Sequence, residues 1–536
     1  MTTLTLDPAP ADPGGSDQPV RRPAAPPAVL ARALAAGALA AVLFPGSRLG
    51  AGTVAVAVAI ALATPSGRRW RTSSGVVFAA AATGLVAVAA LRDADWLVAL
   101  CLTAALATWS LLLSGGATFP ATLFGAVAVP LHLPPAVPWL FRPLAGLGSS
   151  ERRSSLLPAI RGSALAVLLV AVFGGLFVTA DAAFRDLVGR VFPDLDALSS
   201  ARLVVLVAAA SLVGAAALVA GAPALSRAVP PYAGRVLRRV EWVLPLLVLD
   251  LLFAAFVTVQ LTVLFGGRDH VLSTAGLTYA EYARQGFGQL VAAAVLTLGV
   301  VAVAVRLTPR SDRVAQALLA VLCLLTLVVL ASASRRLGLY EQEFGFTRLR
   351  LSVDGAIGWL AVVLLLVLAA GVRPRADWLP RAVVLSAAGG LLLFAAGDPD
   401  ARIAERNVER FAATGDLDLG YLAGLSADAV PALQRLPEPE RSCVLRAIGT
   451  PPPDGWTAVN LSRVRAREAF RHAPSRSVPA VAAARPVPVE PVLTGRLAAD
   501  PSCGAHLAEL PQGRKAARAG GLWAGVRGVL AVEEDL

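Results

Sequence analysis

A single carboxylate, Asp250, lies deep inside a long apolar stretch of the sequence, within residues 246–253. A carboxylate at membrane depth is costly unless it pairs, takes up a proton or lines a water-filled cavity. Gln260 follows ten residues later, near the same face at the helical period, and its amide is placed to share that cavity. This pair of polar side chains at membrane depth predicts a pathway for a solute across the membrane. The alternative is a neutral or Arg-paired Asp250 that holds helices together.

Polar segments between the apolar stretches carry denser groups of ionisable and aromatic side chains. Arginine in such a segment pairs with carboxylates or holds an anionic headgroup bidentately, and a nearby carboxylate can act as a general base. The alternative is a set of interfacial tyrosine anchors with surface ion pairs. The candidate residues are Asp181, Tyr279, Glu281, Tyr282, Arg284, Tyr340, Glu341, Arg348 and Arg350.

The sequence carries none of the motifs that bind phosphates, dinucleotides or catalytic zinc, and no nucleophile-elbow motif. Its four Cys and four His residues are scattered, without zinc-ligand spacing. We therefore predict no cofactor and no metal site. Cys101 and Cys323 fall inside apolar stretches, where a cysteine behaves as a small buried hydrophobe.

The elements that must position these residues are membrane helices. The chain has 536 residues, of which 56% are hydrophobic and 16% charged, with a mean hydropathy of +0.67. This composition excludes a disordered chain and argues against a single soluble domain. The 48 basic residues against 36 acidic ones are typical of arginine-rich cytoplasmic loops, so we predict a lipid bilayer as partner and no nucleic acid.

Apolar stretches of spanning length recur along the chain and predict an all-α polytopic bundle of about 11 spans. Two weaker stretches, 29–44 and 50–64, form either two thin spans or one re-entrant hairpin. Pro120 and Pro130 break 117–133, which we predict to be interfacial or re-entrant. The strong candidates are 75–91, 96–113, 160–180, 202–222, 242–265, 288–307, 314–332, 355–371 and 380–397.

The positions of the arginine clusters predict a cytoplasmic N-terminus and an extracytoplasmic C-terminus in a cell membrane. Four regions follow from composition: a disordered N-terminal tail 1–27, the transmembrane domain 28–397, a small helical extramembrane region 398–472, and a Pro-rich linker with a weakly structured tail 473–536. Cys443 and Cys503 both fall in the tail predicted to lie outside, where oxidising conditions permit a disulfide between them. The alternative is two unrelated thiols too far apart to bridge.

Several strings in the sequence are similar to a bacterial multi-pass membrane family of actinobacterial type, catalogued as domain of unknown function 4173 and related to 4153. The resemblance covers about residues 75–470 and implies a polytopic membrane protein, with no established activity or catalytic residue. The strings are 180–184, 250–267, 278–287 (Thr-Tyr-Ala-Glu-Tyr-Ala-Arg-Gln-Gly-Phe), 344–351, 407–410 and 418–422.

Three functions are consistent with these features. The first is a cell-envelope sensor, scaffold or assembly factor that binds an envelope protein through its C-terminal tail. The second is a transporter or channel-like protein that uses Asp250 and Gln260, although we find no clear internal repeat. The third is a membrane enzyme that acts on a lipid-linked substrate through an outer carboxylate and the arginines at 348 and 350.

Overall fold

A computed structural model describes residues 25–44, 48–65, 72–116, 118–145, 197–222, 238–265, 287–308, 312–373 and 376–472. These residues form 18 α-helices and no strand, which confirms the all-α prediction. The helices are α1 Pro27–Leu43, α2 Ala51–Ala63, α3 Ser73–Leu91, α4 Asp95–Ser114, α5 Phe119–Ala126, α6 Ala128–Leu131, α7 Leu133–Ala145, α8 Ala197–Gly221, α9 Arg239–Phe265, α10 Phe287–Leu307, α11 Arg313–Phe344, α12 Arg348–Val372, α13 Leu379–Ala396, α14 Pro399–Thr414, α15 Leu419–Ala423, α16 Val430–Leu433, α17 Glu440–Ile448 and α18 Leu461–His472.

Eight of the described helices, α3, α4 and α8 to α13, are long and apolar enough to cross a membrane. They coincide with eight of the nine strong candidates, because an uninterrupted apolar run is the feature that both membrane insertion and hydropathy depend on. The ninth candidate, 160–180, lies outside the described residues.

The two ambiguous segments form short helices. Residues 27–63 give α1 and α2, of 17 and 13 residues, which pack against each other. Residues 119–145 give α5, α6 and α7, of 8, 4 and 13 residues. The break between α5 and α6 falls at Val127, three residues before Pro130. Pro130 lacks the backbone N–H that would bond to the carbonyl of Ala126, the last residue of α5. Each of the five is shorter than the roughly 20 residues that span a bilayer.

Two predicted spans are too short at their polar ends. The spans 314–332 and 355–371 leave residues 333–354 as a connection, but α11 continues to Phe344 and α12 begins at Arg348. Hydropathy marks only the apolar part of a helix, whereas the polar ends are also helical because protein contacts stabilise them. The connection is the turn 345–347, in which Gly345 takes a φ of 79° that favours glycine.

The transmembrane helices pack around three apolar clusters. The first joins α1, α2 and α8 with parts of α3, α4, α6 and α7, and the second joins α9 to α12. The third lies between α3, α4 and α13. Helix α13 also contacts α12, so it connects the two larger groups.

Residues 399–472 form a helical region with an apolar core of its own, built from α14 to α18. This core includes Ile403, Leu419, Leu422, Leu433 and Val444, all at most 2% exposed. The region packs on one end of the bundle, where it contacts the turns that follow α1, α3, α11 and α13. The polar residues described next lie between the two.

Candidate functional site

Asp250 is buried in the α9–α12 group and is 5% exposed. It lies near Cys323 of α11. Neither carboxylate oxygen has a hydrogen-bond partner within the described part of the chain. The side chain therefore faces protein and not lipid, as the cost of a lipid-exposed carboxylate predicts.

Gln260 has a different environment from Asp250. The two residues are separated by about 15 Å along α9 at the rise of an α-helix. The Gln260 Oε1 atom accepts hydrogen bonds from Ser332 Oγ at 3.0 Å and from Arg336 Nη2 at 2.8 Å. The amide thus joins α9 to α11, and the cavity predicted to include both residues stays a prediction.

Tyr340, Glu341 and Arg350 lie on the helices that flank the turn 345–347, and not in a loop. The Arg350 guanidinium lies 4.4 Å from the Tyr340 ring centroid, and its Nη1 donates to the carbonyls of Phe344, at 3.1 Å, and Gly345. Arg350 therefore satisfies carbonyls at the end of α11. Glu341 is 7% exposed, and its Oε1 has no hydrogen-bond partner among the described residues.

Arg348 is engaged by the helical region. Its Nε donates to Asp400 Oδ1 at 2.9 Å and its Nη2 to Asp400 Oδ2, a bidentate ion pair. Its backbone N–H donates to the Tyr421 hydroxyl at 2.6 Å. Of the two roles predicted for this arginine, its described contacts are those of carboxylate pairing, and they hold the helical region on the bundle. Binding of an anionic headgroup by Arg348 stays a prediction.

Most of the other predicted residues fall in parts of the chain that the structure does not describe. Asp181, Tyr279, Glu281, Tyr282, Arg284 and Cys503 lie outside the described residues. Cys443 is 2% exposed in α17, and its disulfide with Cys503 stays a prediction. Cys101 and Cys323 are buried thiols. In the described ranges, no three His, Cys, Asp or Glu side chains are grouped to hold a metal ion.

The Arg348–Asp400 pair is one part of a buried polar layer, which we call the seam, between the bundle end and residues 399–472. Asp400 is fully buried and also accepts from Trp96 Nε1 at 3.3 Å and from the Ser426 N–H at 3.0 Å. Burial alone would raise the pKa of Asp400, but the hydrogen bonds and charge of Arg348, with the Ser426 N–H, hold it below its ordinary value.

Arg92, in the turn between α3 and α4, holds the junction between bundle and helical region. Its Nε donates to the Ala395 carbonyl and its Nη2 to the Ala396 carbonyl, both at 2.9 Å, and its Nη1 pairs with Asp398 Oδ2. Asp398 has a φ of 52°, the one positive φ at a non-glycine position in the described ranges. Burial first, and then the charge of Asp428, raise the pKa of Asp398 to about 6, although Arg92 opposes this.

Asp428 joins three segments that are distant in sequence. Its Oδ2 accepts from the Asp93 N–H and from Ser426 Oγ, both at 2.8 Å, and its Oδ1 accepts from Ser462 Oγ. Asn460 Nδ2 donates to the carbonyls of Ala89 and Arg92 at 3.0 and 2.8 Å. The two bonds of Asn460 provide donors for carbonyls at the end of α3, where the last carbonyls of a helix have no partner within it.

Arg463 is the most buried cation of the seam, with its side chain 3% exposed. Its Nε pairs with Asp454 Oδ1 at 2.7 Å and its Nη1 with Asp93 Oδ1 at 2.6 Å. Its Nη2 donates to the carbonyls of Leu49, at 2.9 Å, and Ala458. Burial raises the pKa of Asp93, although Arg463 opposes this. Arg463 thus connects the α1–α2 turn, the α3–α4 turn and the helical region.

Sequence reasoning missed most of the seam. The signal was present in two short strings, 92–95 and 397–400, where charged residues follow directly on an apolar span. Their function depends on partners hundreds of positions away, such as Arg92 with Asp398 and Arg463 with Asp93.

Three of the strings that carry the family resemblance meet next to the seam. Asn407 exchanges hydrogen bonds with the backbone of Phe346, at 3.1 and 2.9 Å. Arg410 Nη2 donates to the Glu343 carbonyl at 2.9 Å, and Tyr421 accepts from Arg348. The strings 344–351, 407–410 and 418–422 therefore form one structural unit around the turn 345–347.

Comparison with known proteins gives a family and no function. No curated protein and no solved structure matches the chain. A family model described as a domain of unknown function, DUF4153, matches residues 79–436, which is most of the bundle and the first part of the helical region. The chain therefore belongs to the DUF4153 family of proteins.

Proposed function

We propose that the protein is a cell-envelope sensor or scaffold, in which the bundle anchors residues 399–472 and presents them to an envelope partner. The observation that carries this proposal is the seam. The helical region has its own apolar core, yet ion pairs made by Asp400, Asp428 and Arg463, in three of its segments, fix it to the bundle end. A region fixed in this way presents one defined surface, and ion pairs of matched geometry favour one arrangement over others.

The test compares the wild-type chain, a deletion of 399–536 and the full-length variant Arg463→Ala in the host organism. Deletion of 399–536 is expected to reproduce the phenotype of the null strain. The variant Arg463→Ala is expected to impair function with the same phenotype, because it releases the region without removing it. If the deletion strain behaves like wild type, the helical region has no part in function and the proposal fails.

A transporter is a second candidate, supported by the burial of Asp250 without a hydrogen bond from the described residues. A buried carboxylate that exchanges a proton or binds a cation would need such an environment. In this case Asp250→Asn abolishes uptake of a solute while the protein still inserts. An enzyme acting on a lipid-linked substrate would instead require an outer carboxylate such as Glu281.

We also propose that the N-terminus is cytoplasmic and that the seam and the C-terminus face outward in a bacterial cell membrane. Arginine clusters at 68–71, 235–239 and 306–313 support this orientation, because they would then lie on the cytoplasmic side. Activity of a reporter that functions only in the cytoplasm, fused at residue 536, would contradict this orientation. The narrower resemblance to the 4173 group is part of the same proposal and is supported by the string 278–287.

The proposed orientation predicts that Cys443 and Cys503 form a disulfide. The loop closed would be about 60 residues, worth about 4 kcal/mol in the chain-entropy model. Alkylation of intact cells is expected to label these two thiols only after reduction. Labelling without a reductant would exclude the bridge.

A further inference from the structure

A cavity of about 500 Å³ lies where the bundle end meets the helical region. Its size is in the range of about 300–1,000 Å³ that is usual for small-molecule sites. One wall is formed by residues 424–427 and 448–452 of the helical region. The opposite wall consists of side chains from the bundle end, namely Arg48, Asp93, Asp95, Trp96 and Arg348.

The charged side chains of this wall differ in whether they are already paired. Arg348 is bound by Asp400, and Asp93 by Arg463. Arg48 and Asp95 are exposed and have no side-chain hydrogen bond or ion pair within the described ranges. The cavity therefore carries one uncommitted cation and one uncommitted anion. A ligand with both a negative and a positive group complements such a pair.

The positions of Arg48 and Asp95 in the chain indicate their depth in the membrane. Arg48 lies in the turn between the apolar helices α1 and α2, and Asp95 is the first residue of α4. Asp95 therefore lies where a helix long enough to span a membrane begins, and Arg463 holds the Arg48 turn at the same end of the bundle through Leu49 and Asp93. This is the level of the polar headgroups of a bilayer. Trp96, next to Asp95, is of the residue type that is enriched at this level.

The edge of the cavity also exposes apolar side chains beside a membrane helix. Pro451 and Pro452 line the cavity, and the same loop continues to Trp456, which is 76% exposed, and Val459, which is 45% exposed. The N–H of Ala51 donates to the Val459 carbonyl at 3.0 Å, which fixes this loop at the first turn of α2. Gly50 and Gly52 permit the approach, since a Cβ on either would lie within 2.8 Å of loop backbone.

We propose that this cavity binds the headgroup of a zwitterionic phospholipid, with the phosphate on Arg48 and the ammonium group on Asp95. Arg48 is suited to the phosphate because a guanidinium binds phosphate oxygens through paired N–H donors. Trp456 and Val459 contact the acyl chains beside α2. This inference goes beyond the proposed function, because the site would exist in a scaffold, a sensor or a transporter.

The experiment titrates the delipidated full-length protein in detergent with single phospholipids and counts bound lipid by native mass spectrometry. Phosphatidylethanolamine carries both charges, whereas phosphatidylglycerol carries the phosphate alone. We expect one site that prefers phosphatidylethanolamine. Arg48→Gln is expected to weaken binding of both lipids about tenfold, the effect of losing one charge-assisted hydrogen bond. Asp95→Asn is expected to remove the preference and leave phosphatidylglycerol binding unchanged.

Matched controls make each outcome decisive. Arg306→Gln removes an exposed arginine in the last turn of α10, which does not line the cavity. This variant is expected to bind both lipids like wild type. Thermal unfolding checks that the Arg48→Gln and Asp95→Asn variants are folded. Equal binding by wild type and both variants, or a preference for phosphatidylglycerol, would overturn the proposal. Full displacement of the bound lipid by soluble glycerophosphoethanolamine at equal concentration would show that the site binds a free headgroup and not a lipid.

Discussion

Buried carboxylates have opposite hydrogen-bonding environments in the α9–α12 group and in the seam. In the α9–α12 group, Asp250 is 5% exposed and neither carboxylate oxygen is hydrogen-bonded by the described residues. In the seam, Asp400 is fully buried and accepts from a guanidinium, an indole and a backbone amide. The two carboxylates are similarly inaccessible but differ in the number of partners.

This difference separates two roles for a buried carboxylate. A carboxylate with several matched donors fixes a structure, because removing one partner leaves the other charge uncompensated. A carboxylate without donors destabilises the structure when it is charged, and its retention then indicates a functional demand. The seam is therefore structural in the first instance, and Asp250 is the residue to test for chemistry.

The largest effect is expected for Arg463→Ala. This change leaves Asp93 without its cation and removes one of the two arginines that pair with the buried Asp454, the other being Arg467. It should lower the free energy of unfolding by about 3–5 kcal/mol. Limited proteolysis should then release residues 399–472 from the membrane fraction. The control is Arg406→Ala, because the Arg406–Glu409 pair is exposed at both side chains. A surface pair of this kind is worth about 0–1 kcal/mol, so equal effects of the two changes would contradict the structural role of the seam.

Asp250→Leu is expected to stabilise the protein, whereas Arg463→Ala destabilises it. Replacing a buried, unbonded carboxylate by an apolar side chain of similar size should raise the free energy of unfolding by about 1–3 kcal/mol. Thermal unfolding in detergent measures the change, with Asp250→Asn as the isosteric control. A destabilised Asp250→Leu variant would show that the carboxylate has a structural partner, and the contrast with the seam would disappear.

Asp398 gives the seam a pH dependence. Its pKa is about 6 in the folded protein, against about 3.9 when unfolded, because burial and Asp428 outweigh Arg92. The folded state therefore holds more protons between pH 4 and 6. This contribution to stability is full below about pH 4 and is lost as pH rises to about 6.

The expected loss from Asp398 is about 1–2 kcal/mol, discounted because the side chain is 23% exposed. Asp398→Asn should abolish this part of the pH profile, since asparagine tolerates the φ of 52° and does not titrate. Asp400 works in the other direction, because its lowered pKa adds stability that is lost as pH falls. An unchanged profile in Asp398→Asn would assign the dependence to another group.

The smallest effect is expected for Gln260→Leu. Polar contacts between membrane helices are worth about 0.6 kcal/mol on average, because the unfolded chain in the membrane also finds partners. Loss of the bonds to Ser332 and Arg336 should therefore lower the midpoint of unfolding only slightly. A loss as large as that of Arg463→Ala would place the α9–α11 contact in the same class as the seam.

The sequence itself determined the all-α class and the positions of most spans. Runs such as 75–91 and 288–307 fold as helices because backbone groups in hydrocarbon must be satisfied within the segment. It also predicted a buried Asp250, since the cost of lipid exposure is local. Expectations failed where an element was not defined by hydropathy, as at 333–354, where polar residues continue α11.

Only the tertiary structure decided which polar residues are already bound and which are available. Arg348 has the residue type and the position of a ligand-binding arginine, but Asp400 occupies it. Arg48 and Asp95 have no distinctive motif, yet they are the two charges of the 500 Å³ cavity that have no side-chain partner among the described residues. The physical reason is that pairing depends on distance in space. Arg92 and Asp398 are 306 positions apart and Arg463 and Asp93 are 370 apart, and only packing of the helical region on the bundle brings them together.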